Sequence, residues 1–282
     1  MAEIGLTEVG ATSQAVVANV VQQVLKQKSI LIPTIEDFSR FAAPGALSVG
    51  VPRRTQFAAA DKTENTSLTA QELTFAADTI SLNKHKAIYA SLERIASVQA
   101  TPDVQAEILV EMAAELALQI DKDIITQLKL VSTTAPDHLL DYGNSPTDTL
   151  AQADILEMRR LLNVQNIPMQ DRYLVVSPDQ EKALLSIADF VRADAYGSAA
   201  GLMNAELGRI YGFTVLMHTS LSAADTLAYH KSHAGMAMQL APEYHTNFDV
   251  PKVADQYLLH QLYGVKVMDS GKRGVYINGS GA

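Results

Sequence analysis

From Thr101 to Leu130 the sequence spells one long helix. Thr101-Pro102-Asp103 supplies a capping hydroxyl, a proline at the first helical position and an acid in the first turn. Leu109, Met112, Leu116, Ile120, Ile124 and Leu128 then recur at steps of three or four, with Glu107, Glu111, Glu115, Gln119 and Lys122 between them. No glycine or proline interrupts the run before Pro136. At about 1.5 Å per residue the rod is roughly 45 Å long, several turns more than an average globular helix. A helix of that length outreaches the core of a small domain and has to act as a spine. The rest of the chain reads as two sheet-rich pieces and two extended appendages attached to it.

A chain of 282 residues with 48% hydrophobic side chains can bury a substantial core in one or two domains. Only 19% of residues are charged and the net charge is −9, which argues against gripping nucleic acid through its phosphates. An acidic wall can still enclose nucleic acid. The absence of cysteine excludes disulfides, thiolate metal sites and cysteine nucleophiles, and fits a reducing cytosol. No apolar run reaches 18 residues and no basic-then-apolar leader opens the chain, so neither a membrane span nor a secretory signal is expected.

The appendages are where the sequence departs from an ordinary globular pattern. From Ser13, Val16, Val17, Val20, Val21, Val24 and Leu25 form one sharp helical stripe. Burying six such side chains gains roughly 9–18 kcal/mol, whereas ordering about 16 backbone residues costs on the order of 16–32 kcal/mol. The helix therefore needs a surface to lie on. Ile30 to Gly50, with Pro33, Pro44, Gly45 and Gly50, reads as an extended arm. Gly50 to Phe57 reads as a strand, Ala58 to Leu68 as a polar tip, and Leu73 to Tyr89 as a long returning strand. That ribbon carries too few large apolar residues at its tip for a core of its own, and a lone two-stranded ribbon is marginal in water.

Beyond the spine, Ser91 to Arg94 (before it) reads as a short helical turn and Ser132 to Pro146 as a boundary. Thr149 to Gln152 has capping-box spacing for a helix to about Asn163. Arg172 to Val176 is a short buried strand, and Ser177-Pro178-Asp179-Gln180 opens the next helix with both a serine cap and a first-turn proline. Ala195 to Gly208 reads as a loop, and an apolar strand follows Gly212. Thr226–His230 and Ala234–Met238 read as short strands, Gln256–Met268 as a long one, and Gly274–Ile277 as the last.

No catalytic constellation emerges. His230 and His233 fall on opposite faces of a strand; His218, His245 and His260 have no ligand spacing, and His-Glu-x-x-His is missing, so no metal site is expected. Gly-x-Ser-x-Gly is missing as well. Gly271-Lys272-Arg273-Gly274 lacks the glycine spacing and following helix of a phosphate loop and reads as a turn. Asp121 and Asp123 read as solvated or paired acids.

Leu207-Gly208-Arg209-Ile210-Tyr211-Gly212-Phe213-Thr214-Val215 resembles the Leu-Gly-x-Ile-x-Gly-x-x-Val segment of major capsid proteins of tailed bacteriophages, which share the HK97-type fold. In the same order, Pro52 to Ile88 resembles that family's extended loop, Thr101 to Leu130 its spine helix, Arg172 to Leu185 its central-domain strand, Ser-Pro and helix, and Tyr229 to Ala234 its aromatic-basic-Ala strand. The resemblance spans nearly the whole chain. It implies an α+β, HK97-like capsid fold with an N-terminal arm (1–48), an extended β-hairpin loop (49–88) and a peripheral domain (89–148) that carries the spine helix (101–130). An axial domain (149–234), a return to the peripheral strands (235–270) and a C-terminal strand back to the axial domain (271–282) complete it.

The same resemblance implies a non-enzymatic major capsid protein, without cofactor or metal, that assembles in the host cytoplasm into hexamers and pentamers of an icosahedral virion shell around double-stranded DNA. It implies no sequence-specific DNA contact and no membrane. No fused, charged scaffolding helix precedes the arm, so a separate scaffolding protein is expected, together with a portal and, as a further candidate, a decoration protein. Arg53, Arg54, Lys62 and Glu64 on the ribbon and Val17, Val21 and Val24 on the arm are the expected inter-subunit contacts. A Lys–Asn crosslink known in some relatives maps onto no pair here, with Lys62 only a positional suggestion. The alternative reading is an encapsulin-type shell enclosing a cargo enzyme; a small-molecule enzyme on an α+β scaffold is the remote third.

Overall fold

A computed structural model describes residues 29–54, 57, 59–72, 75–95, 104–141, 149–187 and 208–279. The valine-striped N-terminal segment and Ala195–Leu207 lie outside them. In chain order the elements are β1 (Glu36–Asp37), β2 (Ser48–Arg54), β3 (Phe75–Ser81), β4 (Lys84–Glu93), helix α1 (Val104–Leu128) and β5 (Leu139–Asp141). There follow helix α2 (Gln152–Val164), β6 (Arg172–Val176), helix α3 (Pro178–Ser186), β7 (Arg209–Ile210), β8 (Phe213–Met217) and β9 (Thr226–His230). The chain ends with β10 (Ala234–Asp249), β11 (Ala254–Val267) and β12 (Gly274–Asn278). They form a four-stranded sheet ordered β1-β10-β11-β4, a six-stranded sheet ordered β5-β12-β9-β6-β8-β7, and the two-stranded ribbon β2-β3.

Helix α1 serves both large sheets. Along its first half the apolar stripe covers one face only, and Met112, Ala113 and Leu116 pack on Tyr244, Tyr257 and Leu259 of the four-stranded sheet. In the second half Ile120, Ile124, Ile125 and Leu128 join a core shared with Val175, Leu227 and Tyr229 of the six-stranded sheet and Tyr263 and Val265 of β11. There only Lys122 and Thr126 are exposed, so the helix is walled in on most sides. Asp123 ties it to the sheet: its carboxylate accepts from Tyr263 Oη at 2.8 Å and pairs with Lys84 and Lys86 at 3.2 and 3.5 Å. Among the described residues no helix is long and apolar enough to cross a membrane.

Local chemistry sets several boundaries. Ser177 Oγ accepts from the Gln180 amide at 3.3 Å and Pro178 takes the first turn of α3. Helix α2 starts two residues later than the spacing at Thr149 suggests; its N-cap is Ala151, whose N–H is held by the Asp154 carboxylate at 2.8 Å. β7 and β8 are joined by a two-residue turn with Tyr211 at φ 46° and Gly212 at φ 87°, a left-handed pair matched to strand twist.

Two strands differ from the sequence reading. The expected returning strand Leu73–Tyr89 breaks at Leu82-Asn83: β3 pairs only with β2, while β4 pairs with β11 along its whole length, from Lys84 opposite Tyr263 to Glu93 opposite Ala254. Ser91–Glu93, expected as a helical turn, is therefore strand. β10, expected to stop at Met238, runs on to Asp249. Its register slips between Met238 and Leu240 and again between Leu240 and Glu243, and Pro242 sits in that irregularity, where no ladder hydrogen bond is required of it.

Where α1 ends, burial dominates an ionisable group. His233, after β9, is fully buried, with Nε2 3.2 Å from the Leu128 carbonyl, and its ring fills the space a side chain at Gly274 would need. A helix C-terminus favours a cationic imidazole, yet desolvation outweighs it and lowers the His233 pKa to about 4. The neutral ring is thus the folded form. The unfolded chain takes up the proton first, so stability is full above about pH 6.5 and falls as pH drops towards 4. The slope is roughly 1.4 kcal/mol per pH unit, about 3 kcal/mol in all. Urea unfolding of unassembled subunits across this range should show that slope in wild type and lose most of it in His233→Gln; equal slopes would refute the assignment.

Candidate assembly surfaces

The ribbon β2-β3 is held at its root and unsupported at its end. At the root Val49, Ile80 and Leu82 pack with Ala237 and Met268. One turn further out a charge network takes over. Arg53 Nη1 lies 2.5 Å from Asp269 Oδ1 and 3.9 Å from Asp78 Oδ2, the Asp269 amide donates to Asp78 Oδ2 at 3.0 Å, and Arg273 Nε donates to Asp269 Oδ2 at 3.3 Å. These groups border a cleft of about 290 Å³ between the ribbon and the turn before β12. The turn is tightly wound: Asp269, Ser270 and Gly271 all have positive φ, and a Cβ on Gly271 would lie 2.6 Å from the Leu130 carbonyl oxygen. Glycine is thus required where the end of α1, the ribbon and the six-stranded sheet meet.

Past Arg54, which closes β2, every described side chain up to Ala77 is exposed. Three are large and apolar: Phe57, Leu68 and Phe75, each more than half exposed at 63, 57 and 64%. The tip is closed by Lys62, whose ammonium donates to the Thr63 carbonyl at 2.8 Å and to the Thr66 carbonyl. Glu64 is exposed and Asn65 makes the left-handed turn at φ 63°. A second set of exposed apolar residues, Phe248, Val250 and Val253, caps the far end of the β10-β11 hairpin.

The arm from residue 29 onward is built into its own subunit. Leu31 and Ile35 are in the shared core, Thr34 Oγ1 and Tyr229 Oη lie 2.7 Å apart, and β1 runs parallel to β10. Ser29 Oγ and the Ile30 amide bond to the two oxygens of Asp121 at 2.5 and 3.0 Å, and His218 Nε2 lies 3.3 Å from the second. Asp121 is buried and paired, one of the two readings left open for it.

Of the ribbon residues expected at contacts, Arg53 is engaged within its own subunit, Lys62 and Glu64 are at the free tip, and Arg54 ends a strand. Val17, Val21 and Val24 lie outside the described residues. The sequence reading missed Phe57, Leu68 and Phe75 as a surface; the signal was present, since each is a large apolar residue in an otherwise polar stretch. It also missed that Glu243, His245 and His260 converge, the described group with metal-ligand geometry.

A family model described as phage capsid protein matches residues 74–278, from the ribbon's second strand to the last strand. The fold is shared with a structure of Mycobacterium phage Che8, at a TM-score of 0.73 and 20% identity over 90% of this chain and 92% of that one. The capsid structure of cyanophage P-SCSP1u superposes with a TM-score of 0.71 at 12% identity, over 88% of this chain and 87% of that one. A virus-like particle from Pyrococcus furiosus gives 0.60 at 9% identity, over 94% and 99%. No curated protein sequence matches the chain.

Proposed function

The chain belongs to the phage capsid protein family, and from that premise we propose that it tiles its shell as rings of six and five, each ribbon lying on a neighbouring copy. It is a major capsid protein of a phage-like icosahedral shell, a structural component of the virion and not an enzyme. Its α+β fold is that of HK97-like phage capsids. The division into arm, extended loop, peripheral domain and axial domain is part of the proposal, with the loop ending at Ser81, before β4 joins the four-stranded sheet, and β5 going with the six-stranded sheet.

The observation that carries the reading is the ribbon: a root fixed by apolar packing and charge, and a tip with three exposed large apolar side chains. Head-to-tail contacts that close by rotation give every copy a place for its own ribbon and a ribbon to receive. Lys62, Glu64 and Arg54 are the polar contacts of the tip, each worth about 0–1 kcal/mol while solvent reaches it. Arg53 makes an inter-subunit pair only by exchanging Asp269, and its main work is to set the ribbon's direction. The valine stripe of Val17, Val21 and Val24 is a second contact of the same kind. A shell of this acidic chain encloses DNA without binding its sequence. A separate scaffolding protein and a portal are its proposed further partners, with a decoration protein as a further candidate.

Cryo-electron microscopy of the purified full chain, alone and with its scaffolding partner, should show closed shells or six- and five-fold rings with the ribbon over an adjacent copy. Particles from the native source should hold nuclease-protected double-stranded DNA. A monomer persisting across salt and concentration, or shells whose ribbons fold back on their own subunit, would overturn the proposal; a specific cargo enzyme inside in place of DNA would favour the compartment reading.

A further inference from the structure

On the face of the four-stranded sheet turned away from α1, four side chains from three strands meet. Strand alternation places them there: Tyr244, Tyr257 and Leu259 face the helix, so Glu243 and His245 of β10 and His260 of β11 face outward. Glu243 is the direct cross-strand partner of His260. His85, on β4, stands opposite Leu262 and thus diagonal to His260, which is opposite Ala87. His245 Nε2 is 3.6 Å and His260 Nε2 3.9 Å from the same carboxylate oxygen, Glu243 Oε2, and the three ligand atoms all lie within 4.8 Å of one another. The rings of His245 and His260 are stacked at 5.3 Å, and His85 meets His260 edge-on at 5.4 Å.

These separations are long for hydrogen bonds but close to those of ligands sharing one small cation. Ligand atoms about 2.0–2.1 Å from a tetrahedral ion are roughly 3.4 Å apart, so the two imidazole nitrogens stand within about 0.5 Å of the required distance from the Glu243 oxygen, and rotation of the stacked rings brings both lone pairs onto one ion. The fourth residue supplies what a metal-bound imidazole needs behind it. His260 Nδ1 is 3.4 Å from His85 Nε2; with the proton on His260 Nδ1 donated towards His85, Nε2, 3.9 Å from the Glu243 oxygen, keeps its lone pair for a metal. Orientation of a ligand histidine through its other ring nitrogen is the usual support in such centres.

We propose that Glu243, His245 and His260, with His85 orienting His260, bind one divalent transition-metal cation of the zinc class and clamp β10 to β11 beyond the β10 register slips. The donor set of two imidazoles and one carboxylate suits zinc and its neighbours rather than calcium or magnesium, which prefer all-oxygen shells. The ladder from Glu243 outward is separated by those slips from the regular pairing near Ala234. A cross-strand clamp at Glu243–His260 would therefore fix the register of the outer half of the hairpin, the half that ends in the exposed Phe248, Val250 and Val253.

The test is calorimetric titration of chelator-treated full chain with zinc chloride alone, on wild type and on His245→Gln, His260→Ala, Glu243→Gln and His85→Phe. Wild type should bind one equivalent. The three ligand variants should each weaken binding at least tenfold, and His85→Phe roughly tenfold as the loss of an orienting partner. Far-UV circular dichroism and metal-free melting temperature establish that each variant folds; the half-exposed His245 is the substitution least able to disturb the sheet. Cobalt(II) in place of zinc reports nitrogen and oxygen coordination by its visible absorption, lost in His245→Gln. Absence of binding, or zinc affinity unchanged in His245→Gln and His260→Ala, would overturn the proposal.

Discussion

Asp121→Ala should destabilise the isolated subunit by about 3–5 kcal/mol, the largest single-residue effect expected in this fold. The carboxylate sits mid-helix in α1 at 1% exposure and receives three groups from two distant parts of the chain: Ser29 Oγ, the Ile30 amide and His218 Nε2. Alanine leaves three donors in or near the core with nothing to accept them, and opens a void between the arm and the helix. His218 has no alternative, because its Nδ1 already accepts from the Ser220 amide at 3.0 Å. Ser29→Ala removes only one of the bonds and should cost about 1 kcal/mol. Asp121→Asn keeps the volume but turns an amide N–H₂ towards the donors, so it should fall between the two. Urea unfolding of unassembled subunits gives the three values; in melting temperature the alanine variant should lose on the order of 10 °C. The arm should also become cleavable near Ile30 in limited proteolysis. A loss below 1 kcal/mol with the arm still protected would mean that Asp121 does not anchor it.

The same residue shows what a sequence can and cannot display. α1 was legible because its signal is periodic and local: Met112, Leu116, Ile120, Ile124 and Leu128 are buried as their spacing requires. β6 and the start of α3 were legible for a related reason, since Ser177-Pro178 encodes its cap within four residues. Asp121-Lys122-Asp123 looks like any solvated helical face, and its partners are 92 and 97 positions away in sequence. The length of β10 was hidden by Pro242, which argues against a continuous strand until a bulge accommodates it. The histidine cluster was invisible because its members come from β4, β10 and β11 and share no spacing; only strand register brings them together. Lys84 and Lys86 fall within the stretch expected as the ribbon's returning strand, whereas they belong to a sheet strand and pair with Asp123. Periodic and capping chemistry is written locally; polar constellations held by tertiary contacts are not.

Replacing Phe57 and Leu68 together by serine should abolish shell formation at concentrations where wild type assembles, while leaving the subunit folded. Both side chains are largely exposed on a tip whose described neighbours are exposed too, so within one subunit their removal should change stability by less than about 0.5 kcal/mol each. Buried on an adjacent copy, each contributes roughly 1.5–3 kcal/mol, or about 3–6 kcal/mol per ribbon. At 1.4 kcal/mol per factor of ten, the critical concentration for assembly rises by about two to four powers of ten. Lys62→Ala and Glu64→Ala remove only solvent-exposed charges and should move it by less than about tenfold. Sedimentation velocity with electron microscopy across a concentration series separates these cases, and matched urea midpoints confirm that folding is intact. Shells forming from the double variant at wild-type concentration would show that the tip contributes no apolar contact, and the ribbon would then have to act through its charged root alone. That alternative has its own signature: Arg53→Ala would block assembly where the tip variant does not, because the Arg53–Asp269 pair is what holds the root of the ribbon.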